Sequence, residues 1–260
     1  MRRIPLLFML WYACVAGAAP ATCEFDHPEG YVPVMSVDWR HGLRVLSVQA
    51  PTQQSVVIGP VVSGGGPMLN VHLSRTDDFA QIANGSPRAE VVLNDATFAI
   101  GEDYILQWST RLRNDFQIDT AQPEIITQIH QGTPVGSPPI ALLLKGNQYA
   151  LEIRSNAKSV PRGVAFGAPA SDRGRTICWR LHYVPDGAGE NAVTELYKDG
   201  VPVYSERGSP NAYEHDMRAY LKVGIYKWLW HIEPDSVTYR AVSFGPVLLS
   251  KKKGHRRTDD

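Results

Sequence analysis

The sequence has no excess of charge of either sign, with 26 basic and 26 acidic residues among 260. That balance excludes a surface that is basic throughout, as DNA or a highly sulfated glycan favours, so any anion site must be local. Long helical periods are missing too, and only Asp77–Ala83 reads as a short helix, which excludes an α-helical fold. There is no internal repeat, and no linker interrupts residues 24–250. No strand carries closely spaced acids on one face in the manner of E-x-D-x-E. A glycoside hydrolase with two carboxylates facing one sugar bond lacks support on that count. Cysteine is scarce, at three residues.

One long apolar run exists, and it begins the chain: "MRRIPLLFMLWYACVAGAAPATC". Arg2 and Arg3, an apolar stretch and then small residues make a secretory signal peptide over residues 1–21, too short and wrongly flanked for a membrane span. Cleavage after Ala18 or after Ala21 fits equally. Lipid attachment at Cys14 is the alternative, and bulky Trp11 and Tyr12 suit it poorly. Removing the leader takes two basic residues and one cysteine, leaving a near-neutral chain with Cys23 and Cys178. An even pair in an exported protein predicts a disulfide tying the N-terminal segment to the domain, against the alternative of two free thiols. The last residues, "KKKGHRRTDD" (251–260), read as a basic solvated tail outside a single domain of residues 22–250.

What fills that domain is strand. Runs such as "AEVVLND", "YILQWSTRLR", "EIITQIHQ", "IALLLKGNQYALEIRS", "TICWRLHYV", "VTELYKDGVPVY" and "VTYRAVSFGPVLL" alternate apolar and polar residues between turn signals. Lys145-Gly146-Asn147 and Asp199-Gly200 mark tight hairpins. Many short strands with regular turns predict an all-β, two-sheet sandwich, a large jelly roll of the concanavalin-like kind with a concave groove.

Three strands spend their polar positions unusually. In "YLKVGIYKWLW" (220–230), Leu221, Val223 and Ile225 share one face. The other face carries Tyr220, Lys222, Gly224, Tyr226 and Trp228, aromatic and cationic where a solvated face holds small polar residues. "EIITQIHQ" puts Gln128 and His130 on one face, and "SPRAEVVL" puts Arg88 and Glu90 on one face. Singly these read as a structural histidine and a cross-strand ion pair. Together they suggest a floor for a flat, negatively charged ligand.

The ordered set "RAE" (88–90), "QIH" (128–130) and "YLKVGIY" (220–226) resembles the jelly-roll polysaccharide lyases. These include alginate lyases with R-x-E-L, Q-[IV]-H and Y-x-K-x-G-x-Y motifs, and the heparin lyase I and glucuronan lyase group. "RAEVVL" lacks the second arginine of the alginate pattern, and "GIYKW" is closer to the glucuronan and heparin group. The resemblance implies β-elimination at a uronate. The proton on C5 leaves, the glycosidic oxygen on C4 is expelled, and the neighbouring carboxylate must be neutralised as a dianion develops.

It also implies roles. Gln128 and Arg88 hold the carboxylate. His130 shares that work or takes the proton, and Tyr226 is acid, and base as well if the elimination is syn. A tyrosine base must ionise below its usual value of about 10, for which Lys222, placed about 7 Å away at roughly 3.3 Å per residue, supplies the cation. Gly224 leaves room for the sugar. Tyr220, Trp228 and Trp230 read as substrate-binding aromatics, Trp228 and Trp230 equally as core. Glu90 reads as part of the substrate floor, orienting Arg88 rather than reacting. The Tyr213–Arg218 stretch "YEHDMR" is a poor metal site, because adjacent loop residues rarely supply a full ligand set, and no metal or other cofactor is expected. The partner is an acidic polysaccharide, in the order glucuronan-like, alginate, heparin-like, with neither nucleic acid nor membrane. A carbohydrate-binding protein without catalysis is the competing class, and it has no use for His130 and Tyr226 together.

Overall fold

The computed structural model describes residues 23–43, 46–60, 66–133 and 136–254. The expected leader, part of a glycine-rich loop at 63–67 and the last six residues fall outside these ranges. Fifteen strands follow in chain order: β1 (Tyr31–Val37), β2 (Ser47–Gln49), β3 (Val56–Gly59), β4 (Met68–Ser74) and β5 (Arg88–Phe98). Next come β6 (Tyr104–Leu112), β7 (Glu124–His130), β8 (Ile140–Lys145), β9 (Gln148–Ile153) and β10 (Arg162–Phe166). β11 (Thr176–Val184), β12 (Val193–Lys198), β13 (Val201–Arg207), β14 (Ala219–Tyr226) and β15 (Tyr239–Lys252) complete the chain.

The strands form two antiparallel sheets. One has the order β13-β12-β11-β6-β15-β4-β3, with β1 also on β15, and the other β10-β9-β8-β7-β14-β5-β2. Strands far apart in sequence lie side by side, as in the expected jelly-roll sandwich. The alternation read from sequence sets which side of each strand is buried. Val91, Leu93, Leu221, Val223 and Ile225 meet Leu69, Val71, Trp108, Leu181 and Phe244 between the sheets. Each such side chain contributes about 1.5–3 kcal/mol on burial. β8 is apolar on both sides because Ala141 and Leu143 join Ile125 and Ala150 in a second, smaller cluster on the outer face, against Tyr226 and Trp228.

Local signals are obeyed at the turns. Asp199 and Gly200 take φ of 51° and 78°, the doubly left-handed hairpin turn that an Asp-Gly pair favours. Cys23 and Cys178 form a disulfide that closes a separation of 155 residues and moors the N-terminal segment to β11. A buried ion pair between Arg240 of β15 and Glu124 of β7 joins the two sheets.

Two local expectations are corrected. The short helix at Asp77–Ala83 is absent: only a 3-10 turn at Ala83–Gly85 forms, with Asn84 left-handed at φ 61°. The tail begins later than residue 250, because Lys251 and Lys252 stay in β15, opposite Val32 and Tyr31 of β1. No helix among the described residues is long and apolar enough to cross a membrane.

Candidate active site

β14 lies between β5 and β7, so the three motif strands are neighbours in one sheet. Antiparallel register sets their side chains in rows. Tyr220 pairs with His130 and Lys222 with Gln128 across to β7. Gly224 pairs with Glu90 and Tyr226 with Arg88 across to β5. Residues directly opposite share a face, and the intervening Leu221, Val223 and Ile225 are in the core. The sandwich therefore turns Tyr220, Lys222, Tyr226, Arg88, Glu90, Gln128 and His130 to one outer face.

Glu90 is the hub of this face. It is 2% exposed, and its Oε1 accepts from Gln128 Nε2. Its Oε2 faces Arg88 Nη1 at 3.4 Å and Lys222 Nζ at 3.5 Å. Lys222 also donates to Gln49 Oε1 at 2.9 Å. A carboxylate so buried needs this many partners, because an unpaired charge away from water is costly. Arg88 Nε and Gln128 Oε1 are buried without a hydrogen-bond partner among the described residues. The second hydrogen on Gln128 Nε2 is a further donor. These groups are what a carboxylate and sugar hydroxyls require.

Tyr226 stands at the rim of the cluster, with the Arg88 guanidinium carbon 4.0 Å from its ring centre. His130 donates through Nδ1 to Gln131 O, 2.8 Å away, which leaves Nε2 as the acceptor of the neutral ring, and its ring lies 5.2 Å from that of Tyr220. Burial holds the His130 imidazole below the usual histidine range, and Lys222 and Arg88 push the same way. The ring is thus neutral at neutral pH and able to accept a proton. Burial also lowers Lys222 against the support of Glu90, and burial, then Glu90, raises Tyr220.

Four of the expected roles change. Lys222 is not the cation beside Tyr226: four residues at about 3.3 Å separate them by about 13 Å, not 7 Å. Its ammonium turns to Glu90 and Gln49, and Arg88 takes the place against the phenol ring. Gly224 does not open space for a sugar. A Cβ there would lie 2.2 Å from Ala89 O and 2.6 Å from Glu90 Cα, with φ at 147°. The glycine lets β5 and β14 close up beside a register shift on the β7 side, between Val223 and Tyr226, which aims Tyr226 outward.

Trp230 is no stacking platform. The chain turns after Tyr226, and the indole is 0% exposed in the main core, donating to Val237 O at 3.3 Å. Trp228 stays half-buried on the face, 5.6 Å from the Tyr226 ring. Glu90 has no free oxygen to offer a substrate, so it positions Arg88, Gln128 and Lys222. The Tyr213–Arg218 stretch is spent structurally: Asp216 accepts from Gly132 N and Arg218 N.

Sequence reading misses Gln49, because three residues of β2 are too few to show alternation. It also misses a brace under the site. Lys227, 0% exposed, pairs with buried Asp119. Asp119 Oδ1 accepts from Ala121 N, Gln122 N and Ser236 Oγ. Gln122 Nε2 in turn donates to Leu229 O, Glu233 O and Pro234 O. Alternation after Tyr226 points Lys227 inward, and a cation on a buried side is the signal that a partner waits there.

Comparison with known proteins bears on the fold and the family. The fold is similar to an endo-β-1,4-glucuronan lyase from the fungus Trichoderma reesei, with a TM-score of 0.63 and 18% identity over 84% of this chain and 95% of that one. It is similar to alginate lyase A1-II', a member of polysaccharide lyase family 7, at TM-score 0.56 and 15% identity, covering 80% and 95%. An alginate lyase from Pseudomonas aeruginosa follows at TM-score 0.53 and 14% identity, covering 81% and 99%. At such identities the likeness shows the fold. No curated protein matches the sequence. The family described as "Polysaccharide lyase" matches residues 35–242, so the chain belongs to the polysaccharide lyases.

Proposed function

We propose that this lyase is exported and cleaves an unsulfated uronan by β-elimination, with glucuronan first and alginate second. The observation that carries the reading is the convergence of Arg88, Gln128 and Lys222 on buried Glu90 beside Tyr226 and His130. Arg88 and Gln128 neutralise the uronate carboxylate, which lets the C5 proton leave as charge spreads onto the carboxylate oxygens. Tyr226 delivers a proton to the departing C4 oxygen. In glucuronate and mannuronate, H5 and that oxygen lie on the same side of the ring, and Tyr226 serves both steps. In guluronate they lie on opposite sides, and His130 takes the C5 proton while Tyr226 acts as acid.

Charge supports an unsulfated substrate. With His130 neutral, Arg88 and Lys222 against Glu90 leave one positive charge, the complement of one carboxylate per sugar and of no sulfates. Export rests on the reading of residues 1–21, and the Cys23–Cys178 disulfide favours an oxidising compartment.

The test is ultraviolet absorbance during incubation with glucuronan, polymannuronate, polyguluronate, heparin, hyaluronan and an uncharged glucan. Elimination conjugates a C4–C5 double bond to the carboxylate, which hydrolysis does not do. The largest rise is expected with glucuronan, and a flat trace with every acidic polymer contradicts the proposal.

A further inference from the structure

The side of the sandwich away from Tyr226 carries a second recess. A trough of about 600 Å³ runs over the outer face of the eight-stranded sheet, across β4, β15 and β6. Its shape follows from residue size. The outward positions of β15 are small, Ala241 and Ser243, whereas β4 presents Asn70 and His72 on one side and β6 presents Arg111 on the other. Their neighbours Leu69, Val71, Leu112, Val242 and Phe244 point into the core, which fixes the outward direction of the polar set.

The lining is chemically specific. Arg111 has no ion-pair or hydrogen-bond partner among the described residues, while its neighbour Arg113 is neutralised by Asp115 through bonds of 2.8 and 2.9 Å. In register with Arg111 stand Ser243 and, beyond it, Asn70. Ser243 Oγ donates to Asn70 Oδ1 at 2.6 Å, and the amide Nδ2 has only a 3.4 Å contact with Met68 O. At one end Tyr239 is 48% exposed, with its ring 6.0 Å from that of His72. An uncompensated guanidinium, an amide donor and an open aromatic face thus lie along one small-residue floor. Guanidinium pairs with carboxylate, amide with hydroxyl, and an aromatic face covers the C–H face of a sugar ring. The volume falls within the range of about 300–1,000 Å³ that small-ligand sites occupy.

We propose that this trough is a second, non-catalytic site for an acidic oligosaccharide segment, with Arg111 on a carboxylate and Tyr239 beneath a sugar ring. The choice of uronan as the natural ligand rests on the function proposed above. A polymer long enough to reach both faces is held at two points, which raises avidity for long chains without altering the chemistry on short ones.

The test uses full-length protein carrying Tyr226→Phe, so that the polymer stays whole. Affinity electrophoresis through gels containing glucuronan, polymannuronate, polyguluronate or a neutral glucan reads binding. Adding Arg111→Ala and Tyr239→Ala should weaken retention by the acidic polymers about tenfold, and Arg111→Lys should restore part of it. Arg111→Glu is a single change at a half-buried position on the outer face, so it tests the site even if the double variant folds poorly, and it should weaken retention at least as much. In the otherwise active enzyme, the same substitutions should leave kcat on short oligosaccharides unchanged. Unchanged retention in Arg111→Glu overturns the proposal, as does absence of retention by every uronan. Equal retention by the neutral glucan overturns the acidic class. Double-bond formation by the active enzyme is read separately, so a lyase with unaltered retention loses the trough and keeps the reaction.

Discussion

At the scale of single residues, the two groups proposed to handle protons differ in what the substrate asks of them. In the proposed mechanism Tyr226 serves both sides of the elimination on glucuronan, and on polyguluronate the work is divided. His130→Ala should therefore cost kcat/KM about 10²–10⁴-fold on polyguluronate and clearly less on glucuronan; equal losses on both contradict the division. Burial, with Lys222 and Arg88, holds His130 below the ordinary histidine value of about 6.5. The base is the neutral ring, so the acid limb of kcat/KM on polyguluronate should lie below pH 6.5, and a limb above it contradicts the assignment. Sequence named Arg88, Gln128, His130, Lys222 and Tyr226 because strand alternation already puts each on the face opposite its apolar neighbours. It did not show which cation meets which partner. Side-chain reach across three strands decides that, and Arg88 rather than Lys222 stands against Tyr226.

At the scale of elements, the site depends on how β14 ends. Between Tyr226 and Trp228 lies Lys227, which with Asp119 and Gln122 forms the brace beneath the face. Asp119→Ala leaves the Lys227 charge buried and unpaired, and should cost about 3–5 kcal/mol of stability, with lower activity because the turn after Tyr226 loosens. Burial opposes the Asp119 charge, but hydrogen bonds from Lys227, Ala121, Gln122 and Ser236 prevail and bring its carboxyl down to about 2. A depressed acid contributes stability that is present above its unfolded value of about 3.9 and lost as pH falls toward 2. Urea melts from pH 5 to pH 2 should show the wild type losing stability over that window, and Asp119→Ala losing less. Long strands were legible because period-two alternation over seven or more residues is hard to mistake. β2, β3 and β10 were not, being three to five residues long, and seven-residue β1 and β4 were not among the runs read either. For Trp230, read equally as a stacking surface or as core, the structure selects the core, because the chain turns after Tyr226 and alternation does not continue.

At the scale of the whole molecule, a buried ion pair between the sheets and a disulfide reinforce the sandwich besides its core. Arg240 and Glu124 join the sheets, and the Cys23–Cys178 bridge ties the N-terminal segment to β11 across 155 residues. Cys23→Ser should cost about 2–4 kcal/mol. For a domain of this size each kcal/mol shifts Tm by about 2–4 °C, so calorimetry should find a fall of about 4–16 °C, and no fall contradicts a mooring role. The sandwich itself was legible from turns and alternation, whereas the pairing of β5, β14 and β7 was not, since strand order is a long-range fact. That pairing turns three weak motifs into one face, the one proposed as the site of elimination. The most direct test follows new reducing ends and ultraviolet absorbance together on glucuronan, with wild type and Tyr226→Phe. Elimination predicts that both signals rise in step in the wild type, and that both are lost in a folded Tyr226→Phe protein. New ends without absorbance, or undiminished absorbance in Tyr226→Phe, would contradict it.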